Sequence, residues 1–441
     1  MSELRKSAFS KSGIDNATAN RLKKSSEMRK DKRASIFVTK RRMLSVNGDS
    51  SMSTQPVGAC ESISNTEIEN IVKSIINVHD LKESLSGLQA LRVYLCSHFE
   101  DENDLVVNSS ASYIEQILAV RSDHSCRCID VIIAYLAYYK SEEVQSDAAW
   151  CLTNLSASCF SNDQLVLFLP AIPICLQIIS FFNSSGSPVL KEQCCWAIGN
   201  VVSATVEDSQ SVPASGSAVV NVRGAVLANG ALYTIIEYLY CAMAELRQLQ
   251  TNTTTTSVTA LVSVGRRLQT VLWVLCNLIR TNSREDECDD TGVVTGEMLV
   301  QAVESVMNSA GMSSVSLPNT SGNNNNDPAA IRFFCGLFEL LSLPFAAARL
   351  GTSTPEEERT LLFNSFFQVV QEVSWVAVYL STKNVDFVVQ LSARCRLTEV
   401  CMCFCHAHTQ VQMFPLCLLL LIVFVLFVLF CICVCRARWM R

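Results

Sequence analysis

Proline, charge and strand-like alternation are all scarce in this chain. Only 10 of its 441 residues are proline, and charged residues make up 17%. Little proline leaves long stretches free to be helical, and the lack of period-two alternation removes sheet folds from consideration. No apolar run follows the first Lys and Arg residues, so no secretory signal is expected there. No Gly-rich phosphate loop, nucleophile elbow or His-Glu-x-x-His pattern occurs, so nothing argues for an enzyme or for a cofactor. Without a secretory leader, the 21 cysteines are expected to be reduced. Cys151, Cys194, Cys195 and Cys276 sit inside apolar helical patterns and read as small hydrophobes, not disulfide partners. Cys401, Cys403, Cys405, His406 and His408 form a tempting cluster. One-residue spacing and the lack of a second half nearby do not suit a structural zinc site, so no metal is expected.

What is present is apolar surface and a lopsided charge. At 49% hydrophobic residues the chain can bury a large core. The net charge of −6 divides unequally. Residues 1–42 hold 13 Lys/Arg against 4 Asp/Glu, or +9, and the remainder holds 22 against 37, or −15. A basic arm on an acidic body suits a protein partner that reads basic segments, and the acidic body disfavours nucleic acid as a direct ligand.

The organisation follows. Residues 1–44 are basic and poor in large apolar side chains, so alone they are expected to be disordered. Residues 45–65 read as a flexible linker. Helical periodicity begins near Thr66 and carries an all-α array over 66–394. Two polar interruptions, around the four threonines 253–256 and the four asparagines 323–326, predict inserted loops over about 241–265 and 283–328. Residues 395–441 form a Cys-rich tail with an apolar run over 416–435.

Within the array four segments share one pattern: Asp147 to Asn154, Gln193 to Asn200, Thr270 to Asn277 and Glu372 to Tyr379. On a helix, positions i, i+3 and i+7 share a face. That face holds Asp147/Trp150/Asn154, Gln193/Trp196/Asn200, Thr270/Trp273/Asn277 and Glu372/Trp375/Tyr379. The opposite face is small or aliphatic throughout: Ala148/Cys151/Leu152/Leu155, Cys194/Ala197/Ile198/Val201, Val271/Val274/Leu275/Leu278 and Val373/Val376/Ala377/Leu380. Core packing alone would put the tryptophans on the apolar face; one such Trp could simply fill a gap between repeats. Four in register, each in polar company, predict an exposed Trp/Asn ladder that binds peptide. The Trp spacings of 46, 77 and 102 residues match a unit of about 40–47 residues with two later inserts.

At these residues the chain resembles the importin-alpha (karyopherin-alpha) family. Ala149 to Asn154, Trp196 to Asn200, Trp273 to Arg280 and Trp375 to Tyr379 resemble its second, third, fourth and fifth armadillo repeats, and the change from Asn to Tyr in the last unit fits as well. Arg5, Phe9, Gly13, Asp15, Arg21, Glu27, Arg29, Lys30, Lys32 and Arg33 resemble its importin-beta-binding segment, ahead of Lys40, Arg41 and Arg42. The resemblance runs from residue 5 to about 390. It implies a right-handed superhelical armadillo solenoid that works as a nuclear import adaptor in cytoplasm and nucleus, with importin-beta and cargo bearing nuclear-localisation signals as partners.

The resemblance also implies roles for residues. Asn154, Asn200 and Asn277 would hydrogen-bond an extended basic peptide, and Trp150, Trp196 and Trp273 would form slots for Lys or Arg stems. Gln193, Glu372, Trp375 and Tyr379 match groove positions, and Arg280 matches the family pattern. Where the family has an acidic residue four positions after the third-repeat Asn, Ala204 stands here. Asp208 or Glu207 is the expected substitute if three residues are inserted. Lys40, Arg41 and Arg42 resemble a localisation signal that would occupy the chain's own groove until importin-beta captures the arm.

The family carries about ten repeats, and five are recognised here, without the minor groove or the repeat that binds the export receptor. The run 416–435 is long enough for a transmembrane helix and is followed by Arg436, Arg438 and Arg441. A genuine membrane anchor and a misread end of the coding sequence are the two readings. The abrupt loss of similarity near residue 390 favours the second; the first would make the chain a membrane-anchored scaffold, and Ala204 with the missing repeats also allows a truncated copy without cargo transport.

Overall fold

The computed structural model describes residues 65–77, 79–97, 114, 117–118, 126–157, 162–180, 187–204, 221–251, 257–280, 294–309, 329–343 and 355–383. The arm 1–44, most of the linker, Glu207, Asp208 and the tail 395–441 lie outside these residues. Among the described residues the chain is helical and holds no strand.

The helices are α1 (Asn65–Ile76), α2 (Leu81–Ser97), α3 (Cys128–Leu136), α4 (Glu142–Ala157), α5 (Asn162–Val166), α6 (Ile172–Ile179), α7 (Pro188–Ala204), α8 (Val222–Ala228), α9 (Ala231–Thr251), α10 (Val258–Ile279), α11 (Gly296–Asn308), α12 (Ala329–Glu339) and α13 (Glu356–Lys383). Short polar residues start several of them. The Asp80 carboxylate accepts from the backbone N–H groups of Lys82 and Glu83 at 3.0 and 3.1 Å at the head of α2. Ser187, Asn221 and Thr295 do the same for α7, α8 and α11. Each such cap is worth about 1 kcal/mol. Every proline among the described residues stands at a helix start or within the first turn: Pro170, Pro173, Pro188 and Pro355. There the missing N–H would have had no helical partner. Gly230, at φ +82°, makes the left-handed turn from α8 into α9, which a side chain would strain.

Two layers result. Helices α2, α4, α7, α10 and α13 pack side by side in that order. Behind them α1 meets α3, α6 meets α9, and α9 meets α11. Pairs α1–α2, α3–α4, α6–α7 and α9–α10 join the layers. The five helices of the first layer mark five repeating units, and the stacked pairs form an all-α armadillo solenoid. The aliphatic faces expected to pack do so: Ala148, Cys151, Leu152, Leu155, Ile198, Leu275, Val373 and Val376 are all buried. Burying such a side chain stabilises by about 1.5–3 kcal/mol for the larger ones.

The loop expected over 241–265 is instead largely helix. α9 runs 21 residues to Thr251 and α10 runs 22 residues from Val258. The cause is apolar spacing on both sides of the polar stretch: Leu246, Leu261, Val262 and Val264 are buried. The insert therefore lengthens a helical hairpin, clamped by the Arg267–Glu245 ion pair. The loop expected over 283–328 likewise contains α11, whose Leu299, Val303 and Val306 recur at helical spacing and are buried.

Candidate functional site

The four recurring segments lie on α4, α7, α10 and α13, so the first layer aligns the Trp-bearing faces of neighbouring units. The structure departs from the expectation in one respect, because the ladder is not exposed. Trp150 and Trp196 are only 5% and 4% accessible, and Trp273 and Trp375 are half-buried. Asn154, Asn200, Asn277, Asp147, Gln193, Thr270, Glu372 and Tyr379 are buried as well.

Each indole already has an intramolecular aromatic or cationic neighbour. The guanidinium of Arg92, on α2, stands 5.9 Å from the Trp150 ring centroid and is paired with the Asp147 carboxylate. Trp196 and Trp273 lie with centroids 4.8 Å apart and planes tilted by 36°. Trp375 stacks on Tyr379 of its own helix at 6.2 Å. The close approach of Trp273 to α7 depends on Gly199. A β-carbon there would come within 2.1 Å of the Trp273 ring, an overlap no packed core tolerates. An alkyl stem between two rings needs a carbon–carbon contact of about 3.5–4 Å on each side, or roughly 7 Å in all. The Trp196–Trp273 gap is closed at 4.8 Å, and admitting a Lys or Arg stem there requires the rings to part.

The amides are also partly engaged. Asn200 donates through Nδ2 to the Thr153 carbonyl at 3.0 Å, and the Thr153 hydroxyl donates to the Gln193 carbonyl at 3.0 Å. These two bonds stitch α4 to α7. Asn200 Oδ1 is left as a buried acceptor, and Asn277 Nδ2 as a buried donor, with no partner. The Asn200 amide N–H is thus engaged by its neighbour helix. Orphaned buried polar atoms are uncommon and costly. One acceptor and one donor on adjacent units of the ladder are what an extended backbone segment would satisfy.

Other predicted residues are placed as follows. Arg280 is buried and donates through Nη2 to the Ser203 carbonyl at 3.4 Å, near the end of α7, where a cation is favoured by the helix dipole. Buried Arg223 caps the far end of α10 through the Asn277 and Leu278 carbonyls at 3.1 and 2.8 Å. The main chain of Ala204 closes α7, while Asp208 and Glu207 lie outside the described residues. So do Lys40, Arg41 and Arg42, and Arg5, Phe9, Asp15, Arg21, Arg29, Lys30, Lys32 and Arg33. Sequence reasoning missed Arg92 and Gly199. The signal for Arg92 was a single cation within the apolar run Leu85 to Leu95, one unit ahead of the first Trp.

Desolvation governs the thiols near these helices. Burial pushes Cys128 and Cys241 up to about 12, so both are protonated at neutral pH. Lys191, on α7 with its ammonium donating to the Ser180 carbonyl at 3.4 Å, is shifted the other way by burial, below the ordinary lysine value. Among the described residues no group of three His, Cys, Asp or Glu side chains is placed to hold a metal ion.

Comparison with known proteins agrees with this architecture. The family model for the Armadillo/beta-catenin-like repeat matches residues 125–157, which span α3 and α4. A probable importin subunit alpha-A of Dictyostelium discoideum is 25% identical over 293 residues, covering 64% of this chain and 46% of that protein. Importin subunit alpha-1b of Oryza sativa subsp. japonica is 27% identical over 164 residues, 36% of this chain and 27% of that one. The chain thus spans less than half the length of these two relatives. A designed armadillo repeat protein, solved in complex with the peptide (KR)4, aligns with 69% of this chain and 99% of its own at 12% identity, with a TM-score of 0.31. The matched repeat and the two partial relatives show a chain that is similar to importin alpha subunits and carries an armadillo-type repeat at residues 125–157.

Proposed function

We propose that the chain is a nuclear import adaptor that binds Lys/Arg-rich localisation segments along its Trp/Asn ladder and hands them to importin-beta through its basic arm. The observation that carries this reading is the Arg92 guanidinium seated between Asp147 and Trp150. A carboxylate three residues before a tryptophan, on the same helical face, already holds one arginine in this molecule. Asp147 supplies the charge and the indole face supplies cation–π attraction of roughly 0.5–2 kcal/mol. Glu372 and Trp375 repeat that spacing on α13. The relatives support the same direction, since those matched are named as importin alpha subunits.

On this reading Asn154, Gln193, Trp196, Asn200, Trp273, Asn277, Glu372, Trp375 and Tyr379 contact the cargo peptide, Trp150 does so where the peptide displaces Arg92, and Asp208 supplies an acidic end to the groove. Lys40, Arg41 and Arg42 compete for the same surface, and residues 5–33 are the importin-beta contact. The partners are proteins, without direct nucleic-acid binding, and the chain moves between cytoplasm and nucleus. Binding opens the Trp196–Trp273 contact, exchanging one aromatic pair for a Lys or Arg stem between the rings.

A second reading has its own observation. The closed indole pair and the buried amides also suit a chain that keeps the solenoid as a scaffold and carries no cargo. Titrating a labelled Lys/Arg peptide against the full chain, beside Trp196→Ala/Asn200→Ala, separates the two. The adaptor reading expects saturable binding that the double variant abolishes. Absence of binding by a folded wild-type chain, with the arm both present and captured by importin-beta, selects the scaffold.

A further inference from the structure

Arg92 stands on α2, the first helix of the ladder layer, one unit ahead of any tryptophan. Its side chain is 40% exposed, whereas that of Asp147, its partner on α4, is 5% exposed. The guanidinium makes both contacts that a basic peptide side chain would seek at this rung: the Asp147 carboxylate and the Trp150 ring at 5.9 Å. Arg92 occupies one oxygen of the Asp147 carboxylate and stands over the Trp150 ring, and a second cation placed there would be repelled by the first. Because Arg92 is tethered, it competes at an effective concentration that a dissolved peptide rarely reaches.

We infer that Arg92 is a specificity-determining residue of the ladder: an intramolecular guanidinium that fills the Trp150 rung and keeps a ligand's basic side chains off it. The inference rests on the peptide-binding reading of the rungs and adds to it a limit on how far the bound segment extends. A basic segment enters from the α13 end, engages α10 and α7, and stops at α4 unless it displaces Arg92. Segments with a neutral or acidic residue at the position facing Arg92 are therefore favoured over those with one more Lys or Arg.

The test uses the full chain and the octapeptide (Lys-Arg)4, followed by fluorescence anisotropy of the labelled peptide. Arg92→Gln is expected to tighten binding roughly tenfold, the scale of one cation–π contact together with one relieved like charge. The gain should vanish in Arg92→Gln/Trp150→Ala, because it depends on the freed ring. Arg92→Lys, which keeps the charge and the alkyl stem but not the planar fork, should fall between wild type and Arg92→Gln and serves as the test variant if Gln lowers the thermal midpoint. Wild-type binding with no change in Arg92→Gln overturns the assignment of Arg92 and leaves the groove standing. A gain that survives Trp150→Ala reflects general charge repulsion and overturns it too. No binding by any of these folded chains overturns the groove reading and this inference together.

Discussion

At the α4 rung a tryptophan is covered by a cation, while between α7 and α10 two tryptophans cover each other. The difference follows from the residues around each indole. Trp150 has Asp147 three positions before it, and that carboxylate draws Arg92 across from α2. Trp196 and Trp273 have the neutral Gln193 and Thr270 at the same positions, and the one carboxylate bonded to the rung, Glu192, accepts from the Thr270 hydroxyl at 3.2 Å. Gly199 then lets the second indole settle directly on α7. Both contacts fall in the range of about 0.5–2 kcal/mol. They differ in what disturbs them: salt and charge at the first, volume at the second.

The largest effect should come from removing a member of the aromatic pair. Trp196→Ala deletes a nearly fully buried indole and is expected to cost about 3–5 kcal/mol in chemical denaturation. Trp375→Ala, half-buried at the far rung, should cost clearly less. Equal costs would mean that the α7–α10 contact contributes nothing special. Next in size, Gly199→Ala forces a methyl to within 2.1 Å of the Trp273 ring. A loss of about 1–3 kcal/mol is expected, together with greater acrylamide quenching of tryptophan fluorescence as Trp273 swings away. Unchanged quenching would show that α7 shifts instead of the ring. Smaller again is Asp147→Asn, which releases Arg92 and should cost about 1 kcal/mol at low salt. That cost should shrink as salt is added, whereas the two preceding effects should not.

Much of the fold was legible because it is written twice. The four segments carry the small-aliphatic face and the polar-Trp-amide face in register, and the helices that bear them pack in the order the spacing implied. The helical extensions were not legible, because composition masked periodicity. The threonine-rich stretch suggested a loop, yet Leu246, Leu261 and Val262 keep the helix going on both sides of it. In α11 the Thr295 cap and the spacing of Leu299, Val303 and Val306 were present in the sequence, hidden among polar neighbours. The accessibility of the ladder was not legible either. A sequence pattern places side chains on a face, but whether that face is open depends on which residue of the next helix lies across it. Arg92 and Gly199 settle that for Trp150 and Trp273, and both act across units rather than within one.

The cysteines extend the comparison to a smaller effect. Cys128, on α3, and Cys241, on α9, are both pushed up to about 12 from an ordinary 9.0, chiefly by burial. Cys126 is shifted in the same direction, again with burial first; it and Cys241 are half-buried, whereas Cys128 is buried. A raised thiol pKa means that the folded state holds its proton more tightly than the unfolded state does. The associated stability is present in full below the unfolded value near 9 and is lost as pH climbs toward 12. Thermal midpoints should therefore hold from pH 7 to 8.5 and decline above that. At pH 8, iodoacetamide should modify Cys126 before Cys128 or Cys241, because alkylation needs both a thiolate and access. Rapid labelling of Cys128 in the native chain would mean that α3 opens locally against α4, which would place the weak point of the solenoid beside the rung that Arg92 covers.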